Sequence, residues 1–241
     1  ADIVDAAEKI RISKTLDLAA SCSADNSVIA VASIYDDLVE KLIAEGGHLA
    51  KEGDYEKIAA VLWEDGHLNT KAVVLKPQTL CEMAGVDIPA DAKFIIMPET
   101  GTGPDHPYSG EKLSVIMAFY KVSDIDEAIA LTNQIQDYQG KGHSCGIYSN
   151  SDDNILKMGM GTKTSRVMVN QPQAASNSGN LWNGMRQTFS LGCGTWGGNS
   201  TNENINWKHL INVTWISKPL DTPKVIPADN ELFGDVIKTL A

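Results

Sequence analysis

Long apolar stretches are missing from this chain of 241 residues. Runs such as 94–97 and 113–120 fall far short of the roughly 20 residues that a membrane helix needs, so no membrane span is expected. Clusters of lysine and arginine are missing as well. With a formal net charge of −11, most of the surface repels phosphate backbones and anionic lipid, so neither nucleic acid nor a membrane is expected as a partner. Cysteine is scarce. The four residues Cys22, Cys81, Cys145 and Cys193 stand far apart with no CxxC pair. No signal peptide precedes them, so reduced thiols in a cytoplasm are the expectation. The five histidines show no metal-ligand spacing, and no metal is expected. An initial methionine is also lacking: the chain opens inside what reads as a helix over 2–14, with Ile3, Ala6, Ala7 and Ile10 on one face. A longer parent chain extending upstream is therefore expected.

What is present reads as a globular α/β domain. The 43% hydrophobic content suffices for a sizeable core and excludes a disordered chain. After the first helix comes a polar loop over 17–27, then apolar 28–33 and an amphipathic helix over 36–45 closed by Gly46 and Gly47. Helix 55–63, strand 71–75, helix 78–84 and strand 94–97 lead into a Gly/Pro-rich loop over 99–110. Strand 113–122 follows. Ser123 or Asp124 then caps a helix over 125–138, before strand 143–149, helix 153–160 and strand 166–170. Helices alternating with strands at this spacing predict a mostly parallel sheet covered by helices. Residues 171–206 are rich in Gly, Asn, Ser and Thr, too long for a simple connector and more typical of a functional loop. A strand is expected over 210–216, ahead of a Pro-punctuated tail.

Three stretches rise above this generic pattern. They are Ser13-Lys14-Thr15-Leu16-Asp17 leading to Ser21-Cys22-Ser23, then Gly110-Glu111-Lys112-Leu113-Ser114, then Leu191-Gly192-Cys193-Gly194-Thr195-Trp196-Gly197-Gly198-Asn199. Taken in order, they resemble the CoA-acylating aldehyde dehydrogenase family. The runs from Thr201 to Asn204 and from Lys208 to Asn212 are family-like too, and the stretch from Thr214 to Pro219 resembles that of its sulfoacetaldehyde-oxidising members. The resemblance implies a three-layer α/β/α catalytic (thiol) domain over 1–209, followed by an oligomerisation strand and tail over 210–241. It also implies a nucleotide-binding domain upstream. No GxGxxG here follows a strand and opens a helix.

Cys22 is the expected nucleophile. An aldehyde has only hydride to lose, so its oxidation is easier once a thiolate has added and the oxyanion can expel that hydride. The resulting thioester keeps its acyl-transfer potential for the thiol of coenzyme A. The loop position of Cys22 suits that role; without the resemblance, a small buried cysteine is the commoner case. Asp17 and Asp25 oppose thiolate formation if they point inward. Cys81 and Cys145 read as core. The resemblance assigns Glu111 to the ribose hydroxyls of NAD or NADP, against the plain alternative of a solvated charge. Gly192 and Cys193 border the implied aldehyde pocket, and Arg186 is the candidate cation for an anionic substrate tail; an exposed arginine over Trp182 is the competing reading. Asn199 is expected to pin its loop through its amide, and Lys112 to be structural or ion-paired. His143 reads first as a structural histidine and second as an acceptor for the CoA thiol proton.

The expected activity is therefore aldehyde plus CoA plus NAD(P)+ to acyl-CoA, in a homodimer or tetramer. The competing functions are a hydrolytic dehydrogenase that releases a free acid and, for this stretch by itself, a non-catalytic assembly or binding module.

Overall fold

The computed structural model describes residues 1–240. They fall into two compact units, Ala1–Asn206 and Trp207–Ala241. In the first, the Asp2 carboxylate accepts the N–H groups of Val4 and Asp5 and starts helix α1 (Ile3–Thr15). Strand β1 (Ser27–Val31), helix α2 (Tyr35–Ala44), strand β2 (Gly47–Leu49) and helix α3 (Asp54–Leu62) follow. A small hairpin, β3 (Trp63–Glu64) with β4 (His67–Leu68), leads to helix α4 (Pro77–Ala84), which Pro77 opens and left-handed Gly85 closes. Strands β5 (Phe94–Pro98) and β6 (Ile116–Val122) flank the long loop. Asp124 caps helix α5 (Ile125–Tyr138) through the N–H groups of Asp126 and Glu127. Strand β7 (Cys145–Ile147), helix α6 (Asp152–Gly161), strand β8 (Val167–Val169) and the single-turn α7 (Gln173–Ser176) complete the unit.

The main sheet has the order β1-β6-β5-β2, with every pair parallel. The strands β7 and β8 form a second parallel pair. Because side chains alternate across a strand, the continuous apolar run of β5 feeds two cores. Phe94 and Ile96 join Ala7 and Ile10 of α1 and Leu38 and Leu42 of α2. Ile95 and Met97 join Ile58 and Leu62 of α3, Leu80 and Cys81 of α4, and Ile135 of α5 on the other face. Helices therefore cover both faces, giving the three-layer α/β/α arrangement that a buried parallel sheet requires.

Four expectations need correction. Residues 71–75 form a turn, not a strand: the Asn69 carbonyl and side-chain oxygens accept the N–H groups of Ala72 and Lys71, and Val74 has φ +55°, outside the extended region. The strand expected from Leu113 begins only at Ile116, since Leu113 has φ +43°. Gly47 lies inside β2 and does not close α2. In the second unit, Trp207–Leu210 is a 3-10 turn, and the strand expected over 210–216 is absent among the described residues. A strand needs a neighbour for its N–H and C=O groups, and none lies beside this segment within its own unit. Irregular chain runs on to helix α8 (Asp229–Leu240). No helix among the described residues is long and apolar enough to cross a membrane.

Glycine is required at position 47 because a Cβ there would lie 2.7 Å from the Leu42 carbonyl oxygen and 2.8 Å from the Phe94 ring. Gly47→Ala is expected to lower stability by about 1–3 kcal/mol through overpacking, read as a lower denaturant midpoint at unchanged slope.

Candidate active site

Helix α1 ends at Thr15, and the three residues Asp17, Leu18 and Ala19 all take left-handed backbone conformations, with φ of +49°, +52° and +60°. For side-chain-bearing residues this costs on the order of 1–2 kcal/mol each. It turns the chain sharply back into a tight turn, closed by the Ala24 N–H on the Ser21 carbonyl, with Cys22 at its tip. Cys22 is exposed. Asp25, three residues further on, is buried; its Oδ1 accepts the Gln173 amide at 2.8 Å, and burial pushes its carboxyl pKa up. Asp17 is exposed.

Glu111 reaches the same place from the loop between β5 and β6. Its N–H donates to Gln139 Oε1 at 2.7 Å, and its carboxylate is exposed. Cys22 and Glu111 line one cleft together with Lys14, Ser21, Asn26 and Lys112. Its volume of about 20 Å³ is little more than one water. The ammonium of Lys112 holds this cleft in shape. It donates to the Asn26 carbonyl (3.1 Å), Asn26 Oδ1 (2.6 Å), the Gly110 carbonyl (2.9 Å) and the Tyr108 carbonyl. Asn26 Nδ2 in turn donates to the Ser109 carbonyl. Burial, followed by the charge of Lys14, pushes the Lys112 pKa well down. The acceptors work against that loss.

His143 enters from the segment ahead of β7. Its Nε2 lies 3.2 Å from Cys22 Sγ and its Nδ1 2.8 Å from Ser144 Oγ. Burial, and then the positive charge of Arg166, lower its pKa, so the ring is neutral at pH 7. In the tautomer that donates Nδ1–H to Ser144 Oγ, Nε2 is the acceptor facing the thiol. Arg166 fixes this corner: Nη1 donates to the His143 carbonyl at 3.0 Å, Nη2 to the Gly192 carbonyl at 2.6 Å and Nε to Asn204 Oδ1 at 3.0 Å. Burial lowers the Arg166 pKa, and the thiols of Cys193 and Cys22 push it the other way. The glycine-rich loop is thereby tied to the histidine beside Cys22.

Close backbone approach explains two glycines. A Cβ on Gly192 would lie 2.2 Å from the Thr201 carbonyl oxygen, and one on Gly142, at φ +82°, would lie 2.2 Å from that of Cys193. Asn199 Oδ1 accepts the Cys193 N–H at 2.8 Å, and its Nδ2 donates to the Gly197 carbonyl. The Cys193 thiol is half-buried, and burial raises its pKa while Arg166 draws it down.

The structure thus brings Cys22 and Glu111 into one cleft and attaches Gly192 and Cys193 to the same corner through Arg166. Arg186 stands elsewhere: it is exposed, its Nη1 donates to Asn206 Oδ1 at 3.3 Å, and it is absent from the cleft wall. His143 and Arg166 are the residues that sequence reasoning undervalued. The only signal for His143 was a polar residue just ahead of a strand. Among the described residues no group of three His, Cys, Asp or Glu side chains is placed to hold a metal ion. A larger cleft of about 740 Å³ opens at the carboxyl ends of β5 and β6. There buried Glu99 accepts Tyr55 Oη–H at 2.9 Å and lies 2.7 Å from His106 Nδ1. Cys22 and Glu111, by contrast, precede the amino ends of β1 and β6.

No family model matches the chain. Similar proteins do. A sulfoacetaldehyde dehydrogenase of Acholeplasma sp. is 39% identical over 242 residues, covering 98% of this chain and 49% of that protein. The crystal structure of an acetylating aldehyde dehydrogenase from Geobacillus thermoglucosidasius superposes with a TM-score of 0.86 at 32% identity, covering 92% of this chain and 50% of the other. A Rhodopseudomonas palustris propionaldehyde dehydrogenase solved with propionyl-CoA gives a TM-score of 0.71 at 25% identity, covering 85% and 44%.

Over nearly its whole length the chain is similar to about half of a CoA-acylating aldehyde dehydrogenase.

It spans about half the length of the relatives it matches. The α/β/α layers described above are those of this dehydrogenase fold.

Two outcomes check the geometry. Iodoacetamide is expected to label Cys22 at least about tenfold faster than Cys81, held at a pKa of about 11 by burial, or Cys145, also raised by burial; comparable rates by peptide mass mapping would contradict the exposed site. Lys112→Met leaves Asn26 Oδ1 and the Tyr108 and Gly110 carbonyls without this donor, while the Asn26 carbonyl keeps the Ala118 N–H, and is expected to cost about 3 kcal/mol, read from the unfolding midpoint.

Proposed function

We propose that the protein to which this chain contributes oxidises an aldehyde with NAD(P)+ and CoA to acyl-CoA, and that Cys22 is its nucleophile. The observation that carries the reading is the exposed Cys22 sulfur 3.2 Å from His143 Nε2, in a cleft shared with Glu111. Its chemistry follows from the residues. Neutral His143 accepts the thiol proton, and the Cys22 thiolate adds to the aldehyde carbon to give a hemithioacetal. The nicotinamide nucleotide, when bound, supplies the acceptor for the hydride. Glu111 fits its ribose, because the carboxylate is exposed while only the residue's N–H is engaged. Loss of hydride leaves a thioester on Cys22. After His143 has released that first proton to solvent, the CoA thiol attacks the thioester carbonyl, His143 takes the CoA thiol's proton, and it returns this proton to the Cys22 sulfur as the carbon–sulfur bond to Cys22 breaks. Atoms balance as aldehyde plus CoA plus NAD(P)+ giving acyl-CoA, NAD(P)H and a proton.

Similarity to a sulfoacetaldehyde dehydrogenase and to a propionaldehyde dehydrogenase that binds propionyl-CoA supports the acylating outcome over hydrolysis to a free acid. Sulfoacetaldehyde is the proposed aldehyde on the same ground, with sulfoacetyl-CoA as product. Arg186, Gly192 and Cys193 are retained as candidate substrate-side residues of the whole site. The nucleotide-binding half and further oxyanion donors are assigned to the remainder of the protein. A cytoplasmic location suits four free thiols.

We also assign residues 210–241 to assembly of a homodimer or tetramer. Trp215 at 91% exposure and Ile216 at 85% support this, because apolar side chains this open in number mark interaction surfaces.

In the protein carrying both halves, Cys22→Ala is expected to abolish CoA-dependent NAD(P) reduction, and substantial residual turnover would refute the assignment. His143→Ala is expected to lower kcat about a hundredfold. The wild-type rate falls as pH drops through the depressed His143 pKa, because the protonated ring accepts nothing, and the variant loses that limb of the profile. Light scattering should show at least a dimer; a monomer at micromolar concentration would count against the assembly role.

A further inference from the structure

Lys14 stands on the last turn of α1, 2% exposed, and lines the cleft that holds Cys22 and Glu111. An ammonium so buried is ordinarily paired. Lys112, in the wall of the same cleft, shows the ordinary case, with four oxygen acceptors. Lys14 has no such set: no hydrogen bond or ion pair reaches its Nζ among the described residues. The charged groups around it are Asp25, whose pull is felt without contact, Lys112, which repels it, and Glu111 on the cleft wall. Burial outweighs Asp25 and lowers the amine to about 7. Near neutral pH a substantial fraction of Lys14 therefore carries a free lone pair, in the wall of the same cleft that Ser21 and Cys22 of the nucleophilic turn line.

Resting on the reading that Cys22 carries an acyl thioester, we propose that Lys14 is an internal acyl acceptor, a modification site to which the acyl group on Cys22 is slowly lost. The amine lone pair attacks the thioester carbonyl, a carbon–nitrogen bond forms, the carbon–sulfur bond breaks, and the departing thiolate takes the proton released by nitrogen. The products are an Nε-acyl-Lys14 amide and a free Cys22 thiol, with no change of oxidation state and no co-reactant. The thioester exchanges with CoA; the amide does not. The lysine charge is lost, and the amide stays in the cleft wall beside Cys22. The thioester that waits longest is the one at risk, so the modification accumulates when CoA is short.

The present chain is incubated with the acetyl thioester of N-acetylcysteamine and mapped by peptide mass spectrometry with and without hydroxylamine, which cleaves thioesters and spares amides. The expected result is a hydroxylamine-labile acetyl on Cys22, followed by a stable acetyl on Lys14. The stable label disappears in Cys22→Ala, while Lys14→Arg keeps the thioester. Between pH 6 and 8 the ratio of Lys14 amide to Cys22 thioester should rise about tenfold, as the amine with a pKa of about 7 deprotonates. A fully loaded Cys22 with Lys14 left free overturns the proposal and leaves the Cys22 assignment standing. Equal Lys14 acetylation in Cys22→Ala overturns the transfer step. Failure to load Cys22 overturns both readings.

Discussion

The ammonium of Lys112 takes the carbonyl oxygens of Tyr108 and Gly110 from one segment and both oxygens of Asn26 from another. Burying such an ion costs several kcal/mol, and only a set of acceptors this complete offsets the loss. The consequence is positional. Asn26 follows Cys22 by four residues and Gly110 directly precedes Glu111, so one side chain sets the spacing between an exposed thiol and a carboxylate that are far apart in the chain. The parallel sheet beneath supplies the frame, since β1 and β6 are adjacent and hydrogen-bonded and the two site segments run into their amino ends.

A second cation completes the arrangement. Arg166 grips the carbonyls of His143 and Gly192 with the two arms of its guanidinium, a geometry that a lysine could not reproduce. It joins the histidine to the glycine-rich loop and also keeps that histidine neutral, because a positive charge nearby disfavours a second one on the imidazole. A neutral ring beside a thiol is what proton acceptance near pH 7 requires. The tight contacts at Gly142 and Gly192 follow from the same gathering of backbones, as each leaves no room for a Cβ.

These clamps lie within a piece that corresponds to about half of its relatives. The proposed nucleophile, proton acceptor and ribose ligand all lie in this half. The sheet has a different face to offer at its carboxyl ends, where Glu99, Tyr55 and His106 form a hydrogen-bonded group that braces the loop leading to Glu111.

Much of the frame was legible in order. The apolar runs at Phe94–Pro98 and Ile116–Val122 and the Asp124 cap are local signals, and local signals survive without knowledge of neighbours. Cys22 and Glu111 stood out because their short motifs resemble a family's, and the fold brings them into one cleft. The turn at 71–75 was misread because strand-like residues were overruled by the Asn69 side chain, and 210–216 because a strand exists only with a partner beside it. Nothing in the sequence sets Lys14 apart from Lys112, yet one ammonium is fully bonded and the other is not. His143 lies 121 residues from Cys22. The sequence alone determined the order of elements and the reactive residue types; which of those residues touch, and which charges are buried without an acceptor, was decided by tertiary packing, because desolvation and hydrogen-bond distance are properties of the assembled neighbourhood and not of any single residue.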